Sequence, residues 1–160
     1  MKILGIDPGT ATTGFGVIEV GARGITYLDC GVITTAPEFS MPARLAEIYA
    51  GMNELIALHS PDCVAVELLY FATNVTTAMT GAQARGLVLL AAGEHDLPLA
   101  EYTPMQVKQA VTGYGKADKR QIQEMVKSLL KLDAIPKPDD AADGLAVAIT
   151  HAHQRVGAQA

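Results

Sequence analysis

Residues 2–7 read Lys-Ile-Leu-Gly-Ile-Asp, and Pro8-Gly9 follows at once. A short apolar run that ends on an acid just before a turn dipeptide describes a buried strand stopping at Asp7. Outward from it, residues 14–20 (Gly-Phe-Gly-Val-Ile-Glu-Val) form a second strand-like run, Gly21 to Gly24 a turn, and residues 25–34 a third run. Three consecutive strands joined by short turns predict an antiparallel meander. The period then changes. Leu45, Ile48, Met52, Leu55 and Ile56 recur at helical spacing, and Ser40 or Pro42 can start a helix over 41–58. Residues 63–68 (Cys-Val-Ala-Val-Glu-Leu) read as a fourth strand behind Pro61-Asp62. Asn74 to Ala92 read as a long helix rich in small residues, and residues 97–102 as a short fifth strand. Helices are predicted over about 104–112, 118–131 and 139–155, the first two separated by Gly113-Tyr114-Gly115. A meander joined to strands reached through helical crossovers implies an α/β fold with a five-stranded mixed sheet and helices on both faces. One domain is expected over residues 1–160, its last few residues flexible.

Composition narrows the function classes. The 160 residues are 49% hydrophobic, enough for a core in a chain of single-domain length. No apolar run reaches the roughly 18 residues needed to span a membrane. The start has too short an apolar stretch, and no small-residue cleavage site, for a secretory signal. A cytoplasmic protein is therefore expected. Cys30 and Cys63 lie in strand-like runs and form no C-x-x-C pair, so both read as reduced core thiols, which argues against zinc. The net charge of −5 argues by itself against nucleic acid, but the charge is unevenly spread. Lys108, Lys116, Lys119, Arg120, Lys127, Lys131 and Lys137 face only Asp118, Glu124 and Asp133 between positions 108 and 137. That segment is +4, which leaves −9 on the remainder. A basic strip on an acidic body suits phosphate binding at one face, or else a set of solvated helix faces.

Four carboxylates stand out by placement. Asp7 ends the first strand and Glu67 lies near the end of the fourth. If these strands are neighbours, both acids project from the carboxyl edge of the sheet, where open mixed sheets bind ligands. The sequence 137–149 (Lys-Pro-Asp-Asp-Ala-Ala-Asp-Gly-Leu-Ala-Val-Ala-Ile) places Asp140 and Asp143 on one face of an otherwise apolar helix. Such charges are costly unless paired or bound to a cation. Asp139 lies about 100° round that helix from Asp140 and is assigned to capping. Each acid alone has an ordinary reading, as a turn residue, a strand-end surface residue or a helix N-terminal charge. Together they form an all-oxygen donor set suited to Mg²⁺ or Mn²⁺. Two such ions roughly 3.5–4 Å apart can activate a water and stabilise the leaving oxygen in phosphodiester hydrolysis. The set includes no obvious Ser, His or Cys nucleophile, which disfavours a covalent intermediate.

The residues at this point resemble a known family. The opening Gly5-Ile6-Asp7-Pro8-Gly9-Thr10-Ala11-Thr12-Thr13-Gly14-Phe15-Gly16-Val17-Ile18 is similar to the start of the RuvC Holliday-junction resolvases. So are Glu67 followed by Tyr70 and Asn74, Gly81-Ala82-Gln83-Ala84-Arg85-Gly86, Gln106-Val107-Lys108-Gln109, Val126-Lys127-Ser128-Leu129-Leu130, and Asp140 through His151. The ordered set spans nearly the whole chain. The resemblance implies a ribonuclease-H-like fold and a bacterial homodimer acting in recombination and repair. Such an enzyme binds a four-way DNA junction and nicks two strands of like polarity, leaving 5′-phosphate and 3′-hydroxyl ends. It implies Asp7, Glu67, Asp140 and Asp143 as catalytic residues and metal ligands, with two ions per site. It places a junction-stacking aromatic on Tyr70, where phenylalanine is more usual, and DNA-contacting lysines on Lys108 and Lys119. Lys116 and Arg120, in the same basic strip, join them as candidate DNA-binding residues. A junction-binding and branch-migration complex of the RuvA and RuvB type is the implied partner.

A junction with near two-fold symmetry calls for two matched sites, which a C2 dimer supplies. The small-residue helix 74–92 is the candidate interface, the alternative being close packing on the protein's own sheet. Loops 8–13, 70–74 and 113–118 are expected to be mobile without DNA. Two other classes fit parts of the sequence. Gly5-Ile6-Asp7-x-Gly9-Thr10 before a hairpin also resembles the first phosphate loop of actin-like sugar kinases, but 160 residues leave room for one lobe and no second phosphate loop is evident. A non-catalytic junction-binding protein would not need all four carboxylates.

Overall fold

The computed structural model describes residues 1–68 and 74–159. Strands β1 (Lys2–Asp7), β2 (Thr12–Gly21) and β3 (Gly24–Thr34) form the antiparallel meander. Strands β4 (Cys63–Glu67) and β5 (Leu99–Tyr102) add in parallel, giving the order β3-β2-β1-β4-β5. β1 is thus central, and β4 beside it runs the same way. The register pairs Ile6 with Val66, so Asp7 and Glu67 follow one step later at the same edge. This mixed five-stranded sheet with helices on both faces is the expected ribonuclease-H-like architecture.

Alternation along the strands sorts the core into two layers. Leu4, Ile6, Phe15, Val17, Val64 and Val66 pack with Met52, Leu55, Ile56 and Val88 from helices α1 (Met41–His59) and α2 (Val75–Glu94). On the other face Ile3, Ile18, Cys63 and Ala65 pack with Leu145, Ile149, Val107 and Val126. These come from α5 (Asp139–Gln159), which lies on the sheet, and from α3 (Pro104–Thr112) and α4 (Lys119–Leu129), which lie against α5. The helix starts have local causes. Thr103 and Asp118 each form a reciprocal capping box with a glutamine three residues on, and the Asn74 side chain accepts from Thr76 and Thr77.

Helix α5 sits unusually low on the sheet, and glycines are the reason. A Cβ on Gly14 would fall on the Asp140 carbonyl oxygen, and one on Gly16 would meet Leu145 Cα at 2.5 Å. From the helix side, a Cβ on Gly144 would meet the Phe15 backbone at 2.5–2.7 Å. Real Cβ atoms do not approach that closely, so each of these positions requires glycine. The near approach brings the first turns of α5 down beside the end of β1.

Several expectations change. Cys30 is only partly buried, because β3 is an edge strand with one side open to solvent; Cys63 is in the core. Asp139 is the first helical residue of α5 and pairs with the Lys137 ammonium at 3.1 Å, rather than capping the helix. The turn 8–13 is tied in place. Thr12 and Thr13 already belong to β2, the Thr13 hydroxyl donates to Gly9 O at 2.7 Å, and the Thr10 hydroxyl donates to Thr80 O at 2.8 Å. The buried face of α2, made of Ala78, Gly81, Ala84, Val88, Ala91 and Ala92, packs within the protein, chiefly against α1 and less against the sheet at β4. Its opposite face is a separate stripe, with Val75 71%, Met79 62% and Leu90 50% exposed and open space beside Gly86. Most of the expected loop 70–74 lies outside the described residues. No helix among the described residues is long and apolar enough to cross a membrane.

Candidate active site

The sheet edge where β1 and β4 end gathers the carboxylates. One oxygen from each of Asp7, Asp140 and Asp143 lies within 4.8 Å of the others. The Glu67 carboxylate is not part of that three-residue group, but it neighbours Asp7 closely enough for each to shift the other's ionisation. Two strands supply one pair and the first turns of α5 supply the other, so groups up to 136 positions apart in the chain share one site.

Such crowding is electrostatically unfavourable without a cation. Burial, then the charges of Glu67, Asp143 and Asp140, push the Asp7 carboxyl up to about 8. Burial also raises Glu67, reinforced by Asp143 and opposed by the hydrogen bond with Asp7 and by the Lys108 ammonium. Asp143 is raised by burial and by Asp140, against the pull of Lys119. The donor set fits a hard divalent ion: all ligands are oxygen, all are partly enclosed, and their mutual repulsion is what a dication relieves. Oxygens about 2.1 Å from a common Mg²⁺ stand at most about 4.2 Å apart. Side-chain movement of under an ångström therefore closes this cluster on an ion.

Two lysines reach the same place. Lys108 on α3 is near enough to Glu67 to act on its ionisation. Lys119, the first residue of α4, lies 3.5 Å from an Asp143 oxygen. Burial lowers the Lys119 ammonium's proton affinity, but Asp143, Asp139 and Asp140 outweigh it and the net shift is upward, so the group stays charged. Lys116 is exposed in the α3–α4 loop. Arg120 turns along its own helix to pair with Glu124 at 2.7 Å, beside a cavity of about 360 Å³ lined in part by Tyr114 and Met125. Among the described residues neither cation forms an ion pair with a site carboxylate. Tyr70 lies outside the described residues.

One further neighbour has no place in the sequence patterns above. Arg44 of α1 lines a cavity of about 460 Å³ together with Thr10, Thr12, Thr77, Thr80 and Asp140. Its signal in the sequence is slight, a lone arginine in the first turn of an amphipathic helix.

Comparison with known proteins follows the same outline. A family profile described as "Crossover junction endodeoxyribonuclease RuvC" matches residues 3–151. A protein described in the same words from Rubrobacter xylanophilus is 59% identical over 150 residues, covering 94% of this chain and 84% of that one. Another from Alkaliphilus metalliredigens is 52% identical over 153 residues, covering 96% and 93%. Among solved structures, Thermus thermophilus RuvC in complex with a Holliday junction substrate superposes with a TM-score of 0.91 at 40% identity, covering 98% of this chain and 96% of that one.

Proposed function

The chain belongs to the RuvC family of crossover junction endodeoxyribonucleases, and from that premise we propose that it resolves four-way DNA junctions as a homodimer. In this reading it makes paired nicks in two strands of like polarity, with Asp7, Glu67, Asp140 and Asp143 as the metal-holding catalytic set. The observation that carries the proposal is the convergence of these carboxylates at one sheet edge with two lysines beside them. Mg²⁺ or Mn²⁺ ions held there would supply a Lewis acid at the scissile phosphate and lower the pKa of the attacking water.

The chain's own residues do the rest. Asp7 and Glu67, fixed on the rigid central strands, define where the phosphate must lie. Asp140 and Asp143 close the site from α5, whose height is set by its glycine contacts. Lys108 and Lys119 offset the negative charge of the site and hold phosphates of the strand being cut, while Lys116 and Arg120 guide the duplex arm at the rim. The product ends are a 5′-phosphate and a 3′-hydroxyl, which a ligase can seal. Tyr70 would stack on a base near the junction centre. A junction-binding and branch-migration complex would present the substrate.

The dimer rests on the outer stripe of α2. Val75, Met79, Ala82, Gly86 and Leu90 repeat at three- and four-residue spacing on the exposed side, and small residues there let a second helix approach closely. The deciding experiment compares nicking of a mobile synthetic four-way junction with that of linear duplex carrying the same sequences, in Mg²⁺ and in Mn²⁺. Metal-dependent, symmetric nicks confined to the junction are expected. Equal cutting of linear duplex, or no cutting in either metal, would overturn the proposal.

A further inference from the structure

The cavity beside Asp140 is bounded by the β1–β2 turn (Pro8 to Thr12), the start of α1 and the first turns of α2. Its lining combines threonine hydroxyls and turn backbone with Met41, the Asp140 carboxylate and one cation, Arg44. That cation is held in place by a chain of hydrogen bonds. Arg44 Nε donates to Thr35 Oγ1 at 2.8 Å, the Thr35 hydroxyl donates to Thr10 O at 2.6 Å, and the Thr10 hydroxyl donates to Thr80 O. Thr35 and Thr10 are buried. The chain therefore ties α1, the end of β3, the turn after Asp7 and α2 into one frame. Arg44 spends only Nε on this frame. Among the described residues no carboxylate forms an ion pair with it. A half-buried guanidinium whose terminal N–H groups meet no hydrogen-bond partner among the described residues, beside a cavity lined by threonine hydroxyls, is arranged for an oxyanion.

Position decides which oxyanion. The cavity shares Asp140 with the carboxylate cluster, so it adjoins the place where a scissile phosphate would lie. Lys108 and Lys119 approach the cluster from α3 and α4, on the other side of the sheet from α1. We propose that Arg44 binds a non-bridging phosphate oxygen of a nucleotide next to the scissile phosphate, so that the cut strand is gripped from both flanks. Thr10 and Thr35 act as positioning residues, since Thr35 accepts from Arg44 Nε and the Thr10 carbonyl accepts from Thr35. The proposal rests on the junction-nicking reading above. It adds a specific strand contact for a residue outside the carboxylate and lysine set.

The test uses the full-length protein and junctions carrying one methylphosphonate at a time near the cut, which removes a single backbone charge. Wild-type protein should show one sensitive position flanking the cut, with kcat/KM down roughly 10- to 100-fold, the value of a charge-assisted hydrogen bond. On unmodified junction R44Q should lose the same factor, and R44K should recover part of it. On the methylphosphonate junction R44Q should lose nothing further, while K108Q should still lose its usual factor. Binding measured in Ca²⁺ should show the same pattern, so the readout does not depend on turnover. If R44Q fails to fold, R44K on the same junction series takes its place, because its shorter reach should move or blunt the sensitive position. Equal R44Q losses on every junction, or no loss at all, overturn the proposal. Wild-type protein that nicks no junction would instead overturn the function on which it rests.

Discussion

Gly144 of α5 rests directly on the backbone of Phe15 in β2, so near that a single methyl group at Gly144 would overlap it at 2.5–2.7 Å. The contact lies one residue after Asp143 and one residue after Gly14, which itself lies under Asp140. Two of the four site carboxylates therefore owe their height above the sheet to the absence of side chains beneath them. Interiors are packed too tightly to absorb an added methyl group without backbone movement.

Gly144→Ala should lift the start of α5 off β2. A loss of roughly 1–3 kcal/mol is expected from overpacking, seen as a fall in Tm of several degrees. Metal affinity should fall with it, because Asp140 and Asp143 retreat from Asp7. Gly21→Ala, in open space at the end of β2, should change Tm little. Calorimetry of both variants with and without Mn²⁺ checks this. An unchanged metal affinity in Gly144→Ala would separate helix height from ion binding.

The Asp7 carboxyl gives a pH prediction of definite sign. Its folded value of about 8 lies above the ordinary carboxyl value of 3.8, so the folded state binds the proton more tightly than the unfolded chain. The metal-free protein should hold this contribution in full below about pH 4 and lose it progressively as pH rises through about 8. Divalent metal should reverse the trend, since it takes the place of the proton. Asp7→Asn should flatten the dependence and raise the alkaline Tm of metal-free protein. It should also cut nicking by at least about 10²–10³-fold while junction binding remains. Thermal melts from pH 4 to 9 with EDTA or Mn²⁺ test the first part, and gel shift against cleavage tests the second.

Much of this arrangement is legible in the sequence, and the reasons are physical. The Lys2–Asp7 strand, the meander and the apolar helix carrying Asp140 and Asp143 follow from short-range periodicity and turn residues. Their convergence follows from the rule that neighbouring parallel strands present ligands at their carboxyl ends. Arg44 is not legible, because its role depends on Thr35, Thr10 and Thr80, three partners on three different elements, a relation that no local pattern encodes. Asp139 reads as a cap because helical phase cannot show that Lys137, two residues before it, pairs with it instead. The two faces of α2 cannot be divided from sequence either. Small residues occupy both, and only packing shows that Ala84 is covered while Gly86 is open.

Salt dependence should resolve the lysines from the carboxylates. Removing one phosphate-binding cation should lower the slope of log Kd against log salt by about one. Lys108→Gln and Lys119→Gln should each do so, whereas Asp7→Asn should leave the slope unchanged. Lys119→Gln has a second effect. Its ammonium opposes the upward shift of Asp143, so without it Asp143 holds its proton to higher pH. The pH at which metal half-loads should move to the alkaline side in this variant and stay put in Lys116→Gln, whose side chain is exposed in the loop. Titrations of Mn²⁺ binding at several pH values distinguish the two.

The outer stripe of α2 yields the test of assembly. Met79 and Leu90 are largely exposed yet apolar, on the helix face turned away from the core, and Gly86 between them leaves room for a close neighbour. Placing acids at Met79 and Leu90 together should leave the fold intact, since neither side chain belongs to a buried cluster. The dimer dissociation constant should rise by more than about 30-fold, the cost of removing apolar anchors from the centre of an interface. Sedimentation velocity should then show a monomer at micromolar concentration with an unchanged far-UV spectrum. If paired nicking requires two coupled sites, this monomer should still cut single strands at high enzyme concentration but lose the simultaneity of the two cuts. A plasmid-borne cruciform separates these outcomes, because uncoupled nicks release a relaxed circle while coupled nicks release a linear product. A variant that remains dimeric in sedimentation would move the interface away from this helix.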